Sequence, residues 1–129
     1  MNSNRELQIL VVDDFKSMRS LIKTLLRKLG FTNVFEANDG AEAWGILQQE
    51  KIELVISDWN MPEMPGIELL RKIRSEERFK DLPFLMVTAE GLKENVVQAI
   101  QAGVSGYIVK PFSPAALEDK LQKIFAKKQ

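Results

Sequence analysis

"VISDWNMPEMPG", residues 55–66, begins as an apolar strand and then breaks. The run Leu54-Val55-Ile56 ends at Ser57-Asp58, and a loop carrying Pro62 and Pro65 follows. A buried-type strand thus delivers a carboxylate to its own end, where the chain leaves the core. Such a group is either a solvated turn residue or part of a site. What the other strands bring to the same edge decides between the two.

Working outward, apolar strand-like runs alternate with helical periodicities. Ile9-Leu10-Val11-Val12 reads as a fully buried strand ended by Asp13-Asp14. Met18, Leu21, Ile22, Leu25, Leu26 and Leu29 then recur at steps of three and four, one face of a helix that Gly30 can stop. Residues 33–37 form a short strand of mixed polarity, as expected at a sheet edge. Asp39 and Glu42 have capping-box spacing ahead of a helix presenting Ala43, Trp44 and Leu47, with Gly45 inside it.

Beyond the quoted stretch, Leu69, Leu70 and Ile73 mark a third helix, and residues 83–88 a fourth strand with Pro83 at its start. Val96, Val97 and Ile100 give the fourth helix its apolar side, and residues 106–110 form the fifth strand. Ser113-Pro114 is a cap followed by proline at the first helical position. Leu117, Leu121, Ile124 and Phe125 then face inward, and Lys127 and Lys128 suit the helix end. Five strand–helix repeats with continuous apolar strands predict an α/β fold: a doubly wound (βα)5 three-layer sandwich around a parallel five-stranded sheet. Residues 1–129 are expected to form a single domain, of ordinary size for one.

In such a sheet all strand C-termini share one edge, and ligands bind outside it where the strand order reverses. Here the strands deliver Asp13 and Asp14, Asp58, Thr88 and Lys110 to that edge. The order 2-1-3-4-5 makes the first and third strands neighbours, so three carboxylates converge. They repel unless a cation sits among them or a proton is taken up. The chain has no His and no Cys. Hard oxygen ligands therefore point to Mg²⁺ or Mn²⁺ rather than Zn²⁺. A carboxylate nucleophile can form an acyl phosphate, and Lys110 and Thr88 can contact phosphoryl oxygens. Each residue alone reads more simply as a surface charge or a turn element. The joint pattern on four successive core strands favours a site.

Composition narrows the rest. Eighteen basic and eighteen acidic residues give a formal net charge of zero, which argues against nucleic-acid binding through bulk charge. No apolar run approaches the roughly 20 residues of a membrane span, and residues 1–6 lack the core of a signal peptide, so a cytoplasmic location is expected.

Four segments carry a resemblance: "ILVVDD" (9–14), "VISDWNMPEMPG" (55–66), "LMVTAEG" (85–91) and "AGVSGYIVKPF" (102–112). They resemble the receiver domain of bacterial two-component response regulators, over nearly the whole chain and without room for an output domain. "ISDWNMP", "VTAE", "KEN" and "VKPF" are most similar to the stand-alone, CheY-like chemotaxis branch. The resemblance implies Asp58 as phosphoacceptor and a Mg²⁺ site made by Asp13, Asp14, Asp58 and the backbone carbonyl of Asn60. Within that site it implies Asp14 as a direct ligand and Asp13 acting largely through water. It implies phosphoryl contacts from Thr88 and Lys110, Tyr107 as an aromatic switch, and a cis Lys110–Pro111 bond. Lys93, Tyr107 and Lys120 are implied on a partner surface made by the fourth helix, fifth strand and fifth helix. A monomer is implied that accepts phosphate from a CheA-like histidine kinase, binds a FliM-like flagellar switch protein, hydrolyses its own acyl phosphate and meets a phosphatase. The missing histidine agrees with this, since the donor imidazole belongs to another protein.

Two positions depart from the pattern. Pro65 stands where relatives often have an Asp that caps the third helix, so that cap is lost or moves to Met64. Gly91 stands where relatives tend to have Ala, which predicts a mobile loop before the fourth helix. Other readings are a small-molecule phosphatase, a phosphorelay receiver outside chemotaxis and a phosphorylation-independent interaction module. A dehalogenase-type phosphatase wants a second Asp two residues past the nucleophile, and here that position is Asn60. The intact acid, threonine and lysine set argues against the module.

Overall fold

The computed structural model describes residues 6–89 and 93–126, the side chain of Lys93 excepted. Five strands, β1 (Ile9–Val12), β2 (Val34–Ala37), β3 (Leu54–Asp58), β4 (Phe84–Thr88) and β5 (Gly106–Val109), alternate with five helices. These are α1 (Lys16–Lys28), α2 (Gly40–Gln49), α3 (Gly66–Ser75), α4 (Lys93–Gln101) and α5 (Pro114–Ala126), with a 3₁₀ turn at Glu77–Phe79. The sheet is parallel throughout, in the order β2-β1-β3-β4-β5.

Strand alternation sorts the core into two layers. Ile9, Val11, Leu54, Ile56, Leu85, Val87 and Ile108 pack against Ile22, Leu25 and Leu26 of α1 and Leu117, Leu121 and Ile124 of α5. Leu10, Val12, Val55, Phe84 and Met86 pack on the other side, against Ala43 and Leu47 of α2 and Leu69, Leu70 and Ile73 of α3. β1, β3 and β4 are buried along their whole length. β5 is the second edge of the sheet, and of its four residues only Ile108 is buried.

The helix faces differ from the sequence periodicity in two places. Leu21 is half exposed, so the inner face of α1 is narrower than its apolar spacing suggests. On α4, Val97 and Ile100 point outward, Ile100 being 62% exposed, and Ala99 is the buried contact. A small residue does the packing while two large apolar ones face solvent.

Helix ends follow local chemistry. The Asp39 side chain accepts from the Glu42 amide, as the capping-box spacing predicts, while the Glu42 carboxylate accepts from the Asn38 amide rather than from that of Asp39. α1 ends at Gly30, whose φ of 99° lets its amide reach Arg27 O while the Phe31 amide reaches Leu26 O. Pro65 itself holds the N-cap position of α3, without a side-chain cap, so the cap does not pass to Met64. Its carbonyl accepts from the amides of Glu68 and Leu69 instead. The expectation for Gly91 falls outside the described residues.

Gly45 has no atom within 4 Å of the place a Cβ would occupy, on an exposed turn of α2. Gly45→Ala is expected to stabilise the protein by about 0.5–1 kcal/mol, through lower chain entropy in the unfolded state. Thermal unfolding should show a Tm rise of a few degrees. A lower Tm would mean that α2 is not a regular helix at this turn.

Candidate acidic phosphoryl site

The ladder fixes which residues can meet. Val12 is registered with Ser57, so Asp13 lies one step past the ladder, next to Asp58. Thr88 is registered with Val109, and the Lys110 amide donates to Thr88 O at 2.8 Å. Asp13, Asp58 and Lys110 share the strand parity of the α1/α5 layer, whereas Thr88 and Tyr107 share that of the opposite layer. The sheet therefore aims two acids and an amine together and sets Thr88 beside them with Tyr107 behind.

Distances agree. Carboxylate oxygens of Asp13, Asp14 and Asp58 lie within 4.8 Å of one another. Lys110 Nζ stands 3.2 Å from Asp58 Oδ1 and 3.8 Å from Asp13 Oδ2. Asp13 is 1% exposed, and Asp58 and Thr88 are 5% exposed. Burial, and then the neighbouring Asp13 charge, push the Asp58 carboxyl above its ordinary value; Lys110 opposes this without cancelling it. Burial raises Asp13 as well.

Two of these oxygens, Asp13 Oδ2 and Asp14 Oδ1, are shielded from solvent and accept no hydrogen bond. Buried acceptors of this kind are costly unless something compensates them. Three hard oxygen donors around one point, with orphaned lone pairs, fit a hard divalent cation.

The other expected residues fall as follows. Asn60 is exposed in the loop after β3. Tyr107 is half-buried in β5, and Lys120 Nζ sits 5.3 Å from its ring centroid, so the two come together. Trp59, Thr88, Val96, Ala99 and Tyr107 line a small cavity between Thr88 and α4. The Lys110–Pro111 bond is cis, as the resemblance implies. Lys93 starts α4, and its side chain lies outside the described residues.

Sequence reasoning missed Arg19. It is 9% exposed and donates from Nη1 to the Asp13 carbonyl at 2.7 Å and from Nε to Glu36 Oε1 at 3.0 Å. A cation among the apolar positions of α1, three residues before Ile22, was the available signal. Ser57 was also missed; it is wholly buried and its hydroxyl donates to the Asp58 carbonyl.

Residues 9–122 match the family model described as the response regulator receiver domain. The chain belongs to the response regulator receiver family. This receiver is 53% identical to a chemotaxis protein, CheY-3 of Vibrio cholerae, over 95% of its own length and 94% of the relative's. The crystal structure of Vibrio cholerae CheY4 superposes on the receiver with a TM-score of 0.86 at 35% identity, covering 92% and 98% of the two chains. The receiver domain of the sensor histidine kinase PA1611 from Pseudomonas aeruginosa superposes with a TM-score of 0.84 at 29% identity, covering 94% and 98%. That structure is described with a magnesium ion coordinated in the active site cleft. The receiver is thus a CheY-like response regulator with the acidic site Asp13, Asp14 and Asp58. Among its described residues no helix is long and apolar enough to cross a membrane.

Proposed function

We propose that Asp58 accepts a phosphoryl group from a histidine kinase in a Mg²⁺-dependent reaction, and that the acyl phosphate switches a partner-binding face controlling the flagellar motor. One observation carries this: a buried Asp58 carboxylate, ion-paired with Lys110, inside a cluster of acids in which Asp13 Oδ2 and Asp14 Oδ1 are buried and accept no hydrogen bond. The magnesium in the related receiver supports the choice of ion. The similarity to chemotaxis proteins supports the choice of pathway.

Asp13, Asp14, Asp58 and the Asn60 carbonyl would hold Mg²⁺. When bound, the ion neutralises the acids and screens phosphoryl charge during in-line transfer. Asp58 supplies the attacking oxygen, which bonds to phosphorus as the donor's P–N bond breaks. Lys110, whose backbone amide donates a hydrogen bond to the Thr88 carbonyl at the end of β5, offsets charge on the transferring group. The Thr88 hydroxyl donates to a phosphoryl oxygen, and water later hydrolyses the acyl phosphate and regenerates the carboxylate.

Readout runs along the sheet. Thr88 and Tyr107 line one cavity, so a shift of Thr88 toward the phosphate frees space for the Tyr107 ring. Lys120 lies over the Tyr107 ring, and Val97 and Ile100 of α4 and Val109 of β5 are exposed apolar side chains, groups suited to docking a partner helix. A CheA-like kinase and a FliM-like switch protein are the expected donor and target. Lys93, the first residue of α4, is expected on the same face, and a phosphatase is a further partner.

The test is a titration with Mg²⁺ and then acetyl phosphate or beryllofluoride, on the native chain and on Asp58→Asn. Trp59 fluorescence and intact mass report binding and labelling. Native protein should gain one phosphoryl group only with Mg²⁺, and Asp58→Asn none. No Mg²⁺-dependent change in the native protein would sink the proposal, and equal labelling of Asp58→Asn would move the acceptor elsewhere. Pull-down on a flagellar switch peptide, with and without beryllofluoride, separates motor control from relay.

A further inference from the structure

We infer that Arg19 is a positioning residue for the cation site: held by Glu36, it fixes the Asp13 main chain so that Asp13 Oδ2 is left for the metal. This rests on the Mg²⁺ reading above and assigns a role to residues outside the acid cluster.

Asp13 has four polar groups to satisfy. Its amide donates to Ala37 O on β2 at 3.1 Å. Its carbonyl accepts from Arg19 Nη1 at 2.7 Å, and its Oδ1 accepts from the Phe15 amide at 2.9 Å. Only Oδ2 remains, buried without a hydrogen bond and turned toward Lys110. Three fixed groups thus define the direction of the fourth.

Arg19 is itself pinned. Its Nε pairs with Glu36 on β2, and Lys23 Nζ holds the other Glu36 oxygen at 3.4 Å. Burial raises the Glu36 carboxyl, but its bonds to Arg19 and Lys23 outweigh that and leave it below the ordinary value. The guanidinium is a planar fork with one prong on the edge strand and one on the Asp13 carbonyl. It braces the first turn of α1 and the end of β1 against β2, outside the ring of metal ligands.

Geometry and charge predict opposite signs, which makes the idea testable. Arg19 is a cation near a cation site. If charge alone mattered, removing it would tighten Mg²⁺ binding. If it orients Asp13, removing it should weaken binding, as loss of such an outer partner does in metal sites, by about tenfold.

Native protein, Arg19→Met, Arg19→Lys and Lys23→Met are titrated with Mg²⁺ alone, following Trp59 fluorescence well below each Tm. Arg19→Met should bind about tenfold more weakly. Arg19→Lys keeps the charge but loses the fork, and should fall between Arg19→Met and native. Lys23→Met removes a charge at the outer end of the network and should bind as tightly as native or slightly tighter. Equal or tighter binding by Arg19→Met overturns the inference. If Arg19→Met does not fold, Arg19→Lys decides, and an unchanged affinity there overturns it equally. Native protein that binds no Mg²⁺ sinks the functional reading itself, a result distinguishable from variants that match a binding native protein.

Discussion

Gly66→Ala is expected to lose about 3 kcal/mol of stability and most of the Mg²⁺ affinity together. Gly66 is the first residue of α3, buried against the end of β3. A Cβ there would stand 2.3 Å from the Asp58 carbonyl oxygen and 3.2 Å from its carbon, with Met86 Sδ at 3.0 Å on another side. The sulfur could move, but the carbonyl cannot move alone. It accepts from the buried Ser57 hydroxyl, and its peptide continues into the Trp59 amide, which donates to Val87 O. The Gly66 amide is itself tied to Trp59 O at 2.8 Å. Relief must come from backing α3 away, which opens the layer beneath Leu69 and Leu70, or from rotating the Asp58 peptide, which re-aims its carboxylate. Urea unfolding should show a lower midpoint at unchanged m. Mg²⁺ titration of the still-folded variant should show weakened binding. A variant with native midpoint and native affinity would mean that α3 approaches β3 less closely than described. Gly45→Ala, on a turn with open space, is the matched control with the opposite expected sign.

The contrast between these glycines shows what the sequence conveyed. Fold class and the strand-end acids were readable because they rest on local signals, apolar runs of strand length each ended by a polar residue, while the strand order followed from the general arrangement of doubly wound sheets. Asp13, Asp14, Asp58 and Lys110 meet because sheet register brings three sequence-distant strand ends, those of β1, β3 and β5, to one edge. What stayed hidden depends on through-space contact. Gly45 and Gly66 look alike as letters, yet one faces open space and the other a carbonyl. Arg19 reads as a polar position on an amphipathic helix until the edge strand brings Glu36 against it. Val97 and Ile100 read as core because hydrophobicity marks them, whereas Ala99 is the buried side chain of that helix and the two larger ones lie outside.

Without metal, the acid pocket should oppose folding at neutral pH, and Asp58→Asn should raise the metal-free stability at pH 7. Burial, then the Asp13 charge, raises the folded-state value of Asp58, and burial raises that of Asp13. A raised carboxyl holds its proton in the folded state at a pH where the unfolded chain has already lost it. The folded state therefore binds more protons, and stability falls as pH rises from the ordinary Asp value through the raised ones. Glu36 has the opposite sign. Its folded value is lowered, so its contribution is present above the ordinary Glu value and is lost as pH falls through the folded one. The two slopes place the metal-free optimum on the acid side of neutrality. Asp58→Asn deprives Lys110 of its nearest acid, yet Asp13 Oδ2 remains 3.8 Å away, and the net upward shift of Asp58 shows that desolvation and acid–acid repulsion exceed the lysine's help. Saturating Mg²⁺ should reverse the order, since a cation bound only by the folded state stabilises in proportion to the logarithm of its concentration over Kd. Native protein should then gain more than Asp58→Asn, and its fall in stability toward neutral pH should flatten. Thermal unfolding at pH 5 and pH 7, with EDTA and with Mg²⁺, measures all four corners. Asp58→Asn no more stable than native in EDTA at pH 7 would show that Lys110 already compensates the acids, and would remove the reason for the pocket to seek a cation.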